Sequence, residues 1–191
     1  MEELNRPNPT LDRARISEAM LVVVDVQGKL ARLMHEADAM IHAQAILIRG
    51  CRLLEVPVVW AEQLPEKLGP TVDELQEPLR GLKPLAKSSF GCLGDPVLRR
   101  RILAAGRRQV LLCGIETHVC IWQTAAGLLE NDHEVHLIAD ATSSRTAFNR
   151  EIGFRRMQRA GVHLSNVEMV LFELMRGAGH EKFREVTRLL K

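Results

Sequence analysis

Residues 20–30 read MLVVVDVQGKL: five consecutive apolar positions, Met20 to Val24, closing on a carboxylate, Asp25. An unbroken apolar run of this length, rich in β-branched residues, suits a strand buried on both faces, since a strand with one wet face alternates instead. Three further runs have the same character: Val56 to Ala61 (VPVVWA), Gln109 to Cys113 (QVLLC) and Glu134 to Ala139 (EVHLIA). Pro84 to Ala86 (PLA) and Val162 to Ser165 (VHLS) are weaker strands in the same rhythm. Helical spacing fills the gaps at Asp38 to Leu54, Pro96 to Ala105, Val119 to Glu130, Thr146 to Ala160, Val167 to Met175 and His180 to Leu190. Thr117 stands as an N-cap for the third of these, and Gly161 stops the fourth in the C′ position. Strand and helix in alternation predict an α/β fold, a three-layer αβα sandwich around a six-stranded, mainly parallel sheet.

The 191 residues suffice for one domain, 1–191, without an internal repeat or linker. Hydrophobic residues at 46% and charged residues at 26% exclude disorder, and a net charge of +2 gives no basic surface for nucleic acid or an acidic membrane. Asp25 interrupts the best apolar stretch long before the roughly 18 residues a membrane span needs. The start, MEELNRPNPT, carries acids and prolines where a secretory signal has a basic patch and an apolar core, so a cytoplasmic location is expected. Cys51, Cys92, Cys113 and Cys120 lack metal-ligand spacing and read as free thiols. Neither GxGxxG nor GxxxxGK[ST] occurs, and no cofactor is expected. The implied partner is a small-molecule substrate.

Open parallel sheets bind ligands beyond the carboxyl ends of their strands. Asp25 ends the first strand, Lys87 the third, and Gly114-Ile115-Glu116-Thr117-His118-Val119 leads from the fourth to Cys120 in the first turn of a helix. An acid, a base and a thiol thus meet at one edge. Each has an ordinary reading: Asp25 as a helix cap, Lys87 as a solvated loop residue beside Ser88 and Ser89, Cys120 as a small buried hydrophobe like Cys51 and Cys113. The chemical reading gives Cys120 the role of nucleophile, with a thiol lowered from about 8.5 by the helix end and Lys87, and makes Asp25 the base. Gln63 and Phe90 flank strand ends and are candidates either for the pocket or for packing. Glu62 to Lys83, with three prolines and two glycines, reads as a long irregular excursion near the same edge.

The segments VVVDVQGKL (22–30), WAEQLPEKLGPTVDEL (60–75), AKSSFGCL (86–93) and GIETHVCIWQTAAGLLENDHEVHLIADATSSR (114–145) together resemble the isochorismatase-like cysteine hydrolases, in particular their small isochorismatase-domain branch. The likeness runs over about residues 20–175, in order. It implies a catalytic triad of Asp25, Lys87 and Cys120, and a non-proline cis peptide between Ile115 and Glu116. It further implies an oxyanion hole made by the backbone N–H groups of Glu116 and Cys120, with the Glu116 side chain incidental. His118, which otherwise reads as the base of a Cys-His pair, becomes a backbone-positioning or pocket residue. The resemblance also implies homo-oligomers.

Namesake isochorismatases cleave a vinyl ether without a cysteine nucleophile at this position, so Cys120 points away from isochorismate. Nicotinamidases of the same superfamily bind a metal through an Asp and two His after the second strand, whereas Trp60 to Leu68 holds neither, and no metal is expected. The expected activity is amide-type C–N hydrolysis through a Cys thioester. The competing reading is an oligomeric binding or scaffold protein that keeps the hydrolase fold without turnover.

Overall fold

The computed structural model describes residues 13–191. Six strands form one sheet: β1 Ala19–Val24, β2 Val58–Gln63, β3 Leu85–Lys87, β4 Gln109–Ile115, β5 Glu134–Ser143 and β6 His163–Ser165. Their order is β3-β2-β1-β4-β5-β6, and every neighbouring pair is parallel. The helices are α1 Gly28–Arg32, α2 Ala37–Leu53, α3 Pro65–Leu68, α4 Asp73–Gln76, α5 Pro96–Leu103, α6 Trp122–Leu129, α7 Ala147–Arg159, α8 Val167–Met175 and α9 Phe183–Leu189.

The pleat explains why β1 carries no polar residue. Leu21 and Val23 join Leu111, Cys113 and Ile138 beneath α2, α8 and α9, while Met20, Val22 and Val24 join Val110, Leu112 and Leu137 beneath α5, α6 and α7. Both faces are covered, so each side chain is buried and contributes roughly 1.5 to 3 kcal/mol of transfer free energy. The result is the three-layer αβα sandwich.

The strand order turns outward in both directions from β1 and β4, so the switch point of the sheet falls beyond their carboxyl ends, past Val24 and Ile115. Gly114, at φ +124°, lets the chains close there: a Cβ on it would stand 2.1 Å from the Val24 carbonyl oxygen.

Two local expectations need correction. β2 runs two residues further than its apolar run, to Gln63, and residues 64–83 are organised rather than irregular. Leu64 turns the chain at φ 38°, Pro65 starts α3, and an isolated antiparallel bridge joins Thr71 to Gln27. Gln27 fastens this segment, its Nε2 donating to the Gln63 and Gly69 carbonyls while its Oε1 accepts from the Gln63 N–H.

The second correction concerns Thr117, which does not cap a helix. It begins a single π turn, Thr117–Ile121, in which the Ile121 N–H reaches the Glu116 carbonyl at 3.2 Å, and its buried hydroxyl has no hydrogen-bond partner among the described residues. Thr146 does cap α7, accepting from the Asn149 N–H, and Gly161 follows that helix at φ +95°.

Candidate active site

Asp25 is carried past the end of β1 in a left-handed conformation at φ 60°, held by its own N–H to Ala61 O and by the Gln27 N–H to its carbonyl. Lys87 ends β3, two strands away, so its side chain must cross the end of β2. It does so along Gln63. The ammonium donates to Gln63 Oε1 at 2.6 Å, Asp25 Oδ2 at 2.7 Å, Phe90 O at 2.9 Å and Ser89 O at 3.1 Å. Gln63 Nε2 in turn donates to Ser88 O, which closes the Ser88–Phe90 loop around the cation. Lys87 and Asp25 side chains are 0% and 3% exposed, so the pair is shielded from solvent, and the surrounding carbonyl oxygens give the ammonium the hydrogen bonds that water would otherwise make.

Asp25 Oδ1 is buried without a hydrogen-bond partner among the described residues. The Cys120 thiol lies close enough to that carboxylate for each group to change the other's proton affinity. Cys120 sits in the π turn, one face of which packs against α7 where Gly153 leaves room: a Cβ there would meet Thr117 Cγ2 at 2.8 Å and the His118 nitrogen at 3.1 Å. The Ile115–Glu116 peptide bond preceding the turn is cis.

The charges around the thiol act against the lowered value expected from sequence. Burial and the Asp25 charge push Cys120 up from 9.0 to about 12, and the neighbouring Lys87 ammonium offsets only part of this. Burial beside a carboxylate disfavours the free thiolate, so Cys120 rests as a neutral thiol. Asp25 is pushed above its usual 3.8, chiefly by desolvation, against the pull of Lys87. An acceptor with raised proton affinity thus stands beside a thiol that gives up its proton only on demand. Cys51 and Cys92 are likewise pushed up to about 12 by burial, and Cys113 upward as well.

The sequence candidates part company here. Asp25, Lys87 and Gln63 are directly bonded, with Gln63 a part of the Lys87 cradle. Phe90 contributes its carbonyl while its ring is exposed. His118 turns its Nδ1 to Ser144 Oγ, 3.0 Å away. The Glu116 carboxylate accepts from both the backbone N–H and Nε of Arg145. Gln27 and Arg145 lie within the quoted motifs, as the glutamine of VVVDVQGKL and the arginine closing DATSSR, but spacing alone gives neither a partner.

A doubly wound αβα sheet, carrying a buried carboxylate–ammonium pair beside a cysteine at its switch point, defines an α/β protein with the hydrolase fold of isochorismatase-like proteins. The family model of the isochorismatase domain matches residues 19–169, and the chain belongs to the isochorismatase family. It is 38% identical over 184 residues to isochorismatase domain-containing protein 2 of Pongo abelii, covering 96% of this chain and 88% of the relative. The structure of MAR1 ribonuclease from Caenorhabditis elegans superposes with a TM-score of 0.88 at 34% identity, covering 94% of this chain and 92% of that one. Escherichia coli YcaC, described as an octameric hydrolase of unknown specificity, has a TM-score of 0.84 at 22% identity over 93% of this chain and 87% of its own, a likeness in fold.

Proposed function

We propose that the protein is a metal-independent cysteine hydrolase that cleaves the C–N bond of a small amide through a Cys120 thioester. Asp25, Lys87 and Cys120 form the triad. The observation that carries this reading is the buried Lys87–Asp25 contact at 2.7 Å with the Cys120 thiol coupled to the same carboxylate.

Attack on the amide carbon and transfer of the thiol proton to Asp25 proceed together, because a free thiolate is costly in this setting. Lys87 is the electrostatic partner of the triad. It balances the carboxylate at rest and, once Asp25 is protonated, the negative charge developing on sulfur and oxygen. Backbone N–H groups of Glu116 and Cys120 hold the oxyanion, an interaction worth about 3 to 4 kcal/mol per donor in comparable sites. The tetrahedral adduct expels the amine, which takes the proton from Asp25. A water, deprotonated by Asp25, then attacks the thioester, and the departing sulfur recovers that proton.

The end of β2 and the residues after it, Trp60 to Leu68, hold glutamate and lysine but no Asp or His, which supports a mechanism without metal. A net charge of +2 favours a small substrate over RNA, the substrate class in the name of the nematode relative. Homo-oligomers are proposed in line with octameric YcaC, and a cytoplasmic location in line with four free buried thiols. The testing experiment is a panel of small amides, carbamoyl compounds and ureides assayed for ammonia release. Wild type is expected to release ammonia from at least one and Cys120→Ala from none. Equal release by both proteins overturns the nucleophile.

A further inference from the structure

We infer that Arg145, with the carboxylate of Glu116, is a positioning residue for the proposed reaction: together they fix the peptide whose N–H serves as an oxyanion donor. This rests on the hydrolase reading and extends it to the loop after β5.

The sheet register brings the parts together. Ser143, the last residue of β5, pairs with Ile115, the last residue of β4, so Ser144 and Arg145 run beside Glu116 as both chains leave the sheet. There the Arg145 N–H donates to Glu116 Oε2 at 3.0 Å, and its Nε donates to the same oxygen at 3.1 Å. Ser144 Oγ meets His118 Nδ1 at 3.0 Å, and the Ser144 carbonyl accepts from the His35 N–H at 2.8 Å. Two successive residues thus hold alternate residues of the turn leading to Cys120, from the side opposite β1.

The asymmetry of exposure matters. The Glu116 side chain is 11% exposed and the Arg145 side chain 57%. An exposed arginine adds little to stability through one ion pair. Its Nε and N–H nevertheless both hold one oxygen of a nearly buried carboxylate, and that carboxylate grows from the residue whose N–H must point at the oxyanion. Orientation of a reacting group by tenths of an ångström is worth far more in rate than in stability.

The test separates two reactions of the same sulfur. Acylation of Cys120 by p-nitrophenyl acetate, read as the nitrophenolate burst, needs an oxyanion donor. Alkylation by iodoacetamide displaces iodide at saturated carbon and needs none. With folding followed by thermal melting, Arg145→Ala is expected to slow acylation about tenfold and leave alkylation within about twofold. Glu116→Ala, which loses both bonds, is expected to slow acylation further, whereas Glu116→Gln keeps an acceptor and stays within about threefold of wild type. Unchanged acylation in a folded Arg145→Ala, or acylation and alkylation falling together, overturns the positioning role alone. A wild-type protein that is alkylated at Cys120 but never acylated there overturns the hydrolase reading and this inference with it.

Discussion

Lys87 Nζ stands 2.7 Å from Asp25 Oδ2 with both side chains withdrawn from solvent, a contact made across the end of an intervening strand. Charges buried in this way stay ionised only as a pair, so removing one partner leaves the other stranded.

Lys87→Met is therefore expected to cost about 3 to 5 kcal/mol in urea unfolding as well as all turnover. Asp25→Asn in the same chain should recover a large part of that stability and none of the activity, because the stranded carboxylate is then gone. Strictly additive losses in the double variant would contradict a coupled pair.

The chain contains no tyrosine, so its alkaline ultraviolet titration reads thiolate without phenolate. In Cys120 the carboxylate of Asp25 raises the thiol after burial itself, and Lys87 lowers it. Asp25→Asn removes the like charge and leaves the ammonium, so the Cys120 titration, taken as the difference from Asp25→Asn/Cys120→Ala, should move down from about 12. An upward or absent shift would contradict the arrangement of charges.

Much of this was legible in residues 20–30: five apolar positions without alternation demand cover on both faces, and the polar residue ending them falls at the ligand edge of a parallel sheet. The placement of Lys87 at the end of the third strand was readable on the same ground. The direction of the thiol titration was not, because it depends on whether Asp25 or Lys87 acts more strongly on the sulfur, a matter of tertiary distance. The π turn also escaped pattern reading. Thr117 has the residue type of a cap, but the Glu116 carbonyl accepts from Ile121 and the hydroxyl is left inside. Residues 64–72 looked irregular because many of their hydrogen bonds go to other segments: Gly69 O accepts from Gln27 Nε2, the Thr71 N–H donates to Glu62 Oε1, Pro70 O accepts from the Gly28 N–H and the Val72 N–H donates to Val26 O.

Stability should fall steeply above pH 9. Cys51, Cys92 and Cys120 keep their protons to about 12 when folded, against 9.0 as ordinary thiols. The folded state therefore binds more protons, and this stability is complete below 9.0 and lost as pH rises toward 12. Each thiol contributes a slope of up to about 1.4 kcal/mol per pH unit in that window. Urea midpoints at pH 8, 9 and 10 measure it, and Cys51→Ala should flatten the slope by about one thiol's share.

Gly153→Ala places a Cβ 2.8 Å from Thr117 Cγ2 and 3.0 Å from the Thr117 carbonyl carbon, so α7 and the π turn must separate. The expected cost is about 1 to 3 kcal/mol in unfolding free energy. Because the thiol itself moves, alkylation and acylation should both slow, in contrast to Arg145→Ala. A variant with wild-type rates for both would show that Cys120 does not depend on this contact.

The central proposal is that the sulfur of Cys120 bonds covalently to the acyl group and that Asp25 carries its proton. Acid-quenched protein taken during steady turnover of an amide substrate, digested and mapped by mass spectrometry, addresses it directly. The peptide containing Cys120 is expected to gain the mass of the acyl group in wild type, and to stay unmodified in Asp25→Asn. Turnover with every thiol unmodified, or an acyl group found on a different residue, would contradict it.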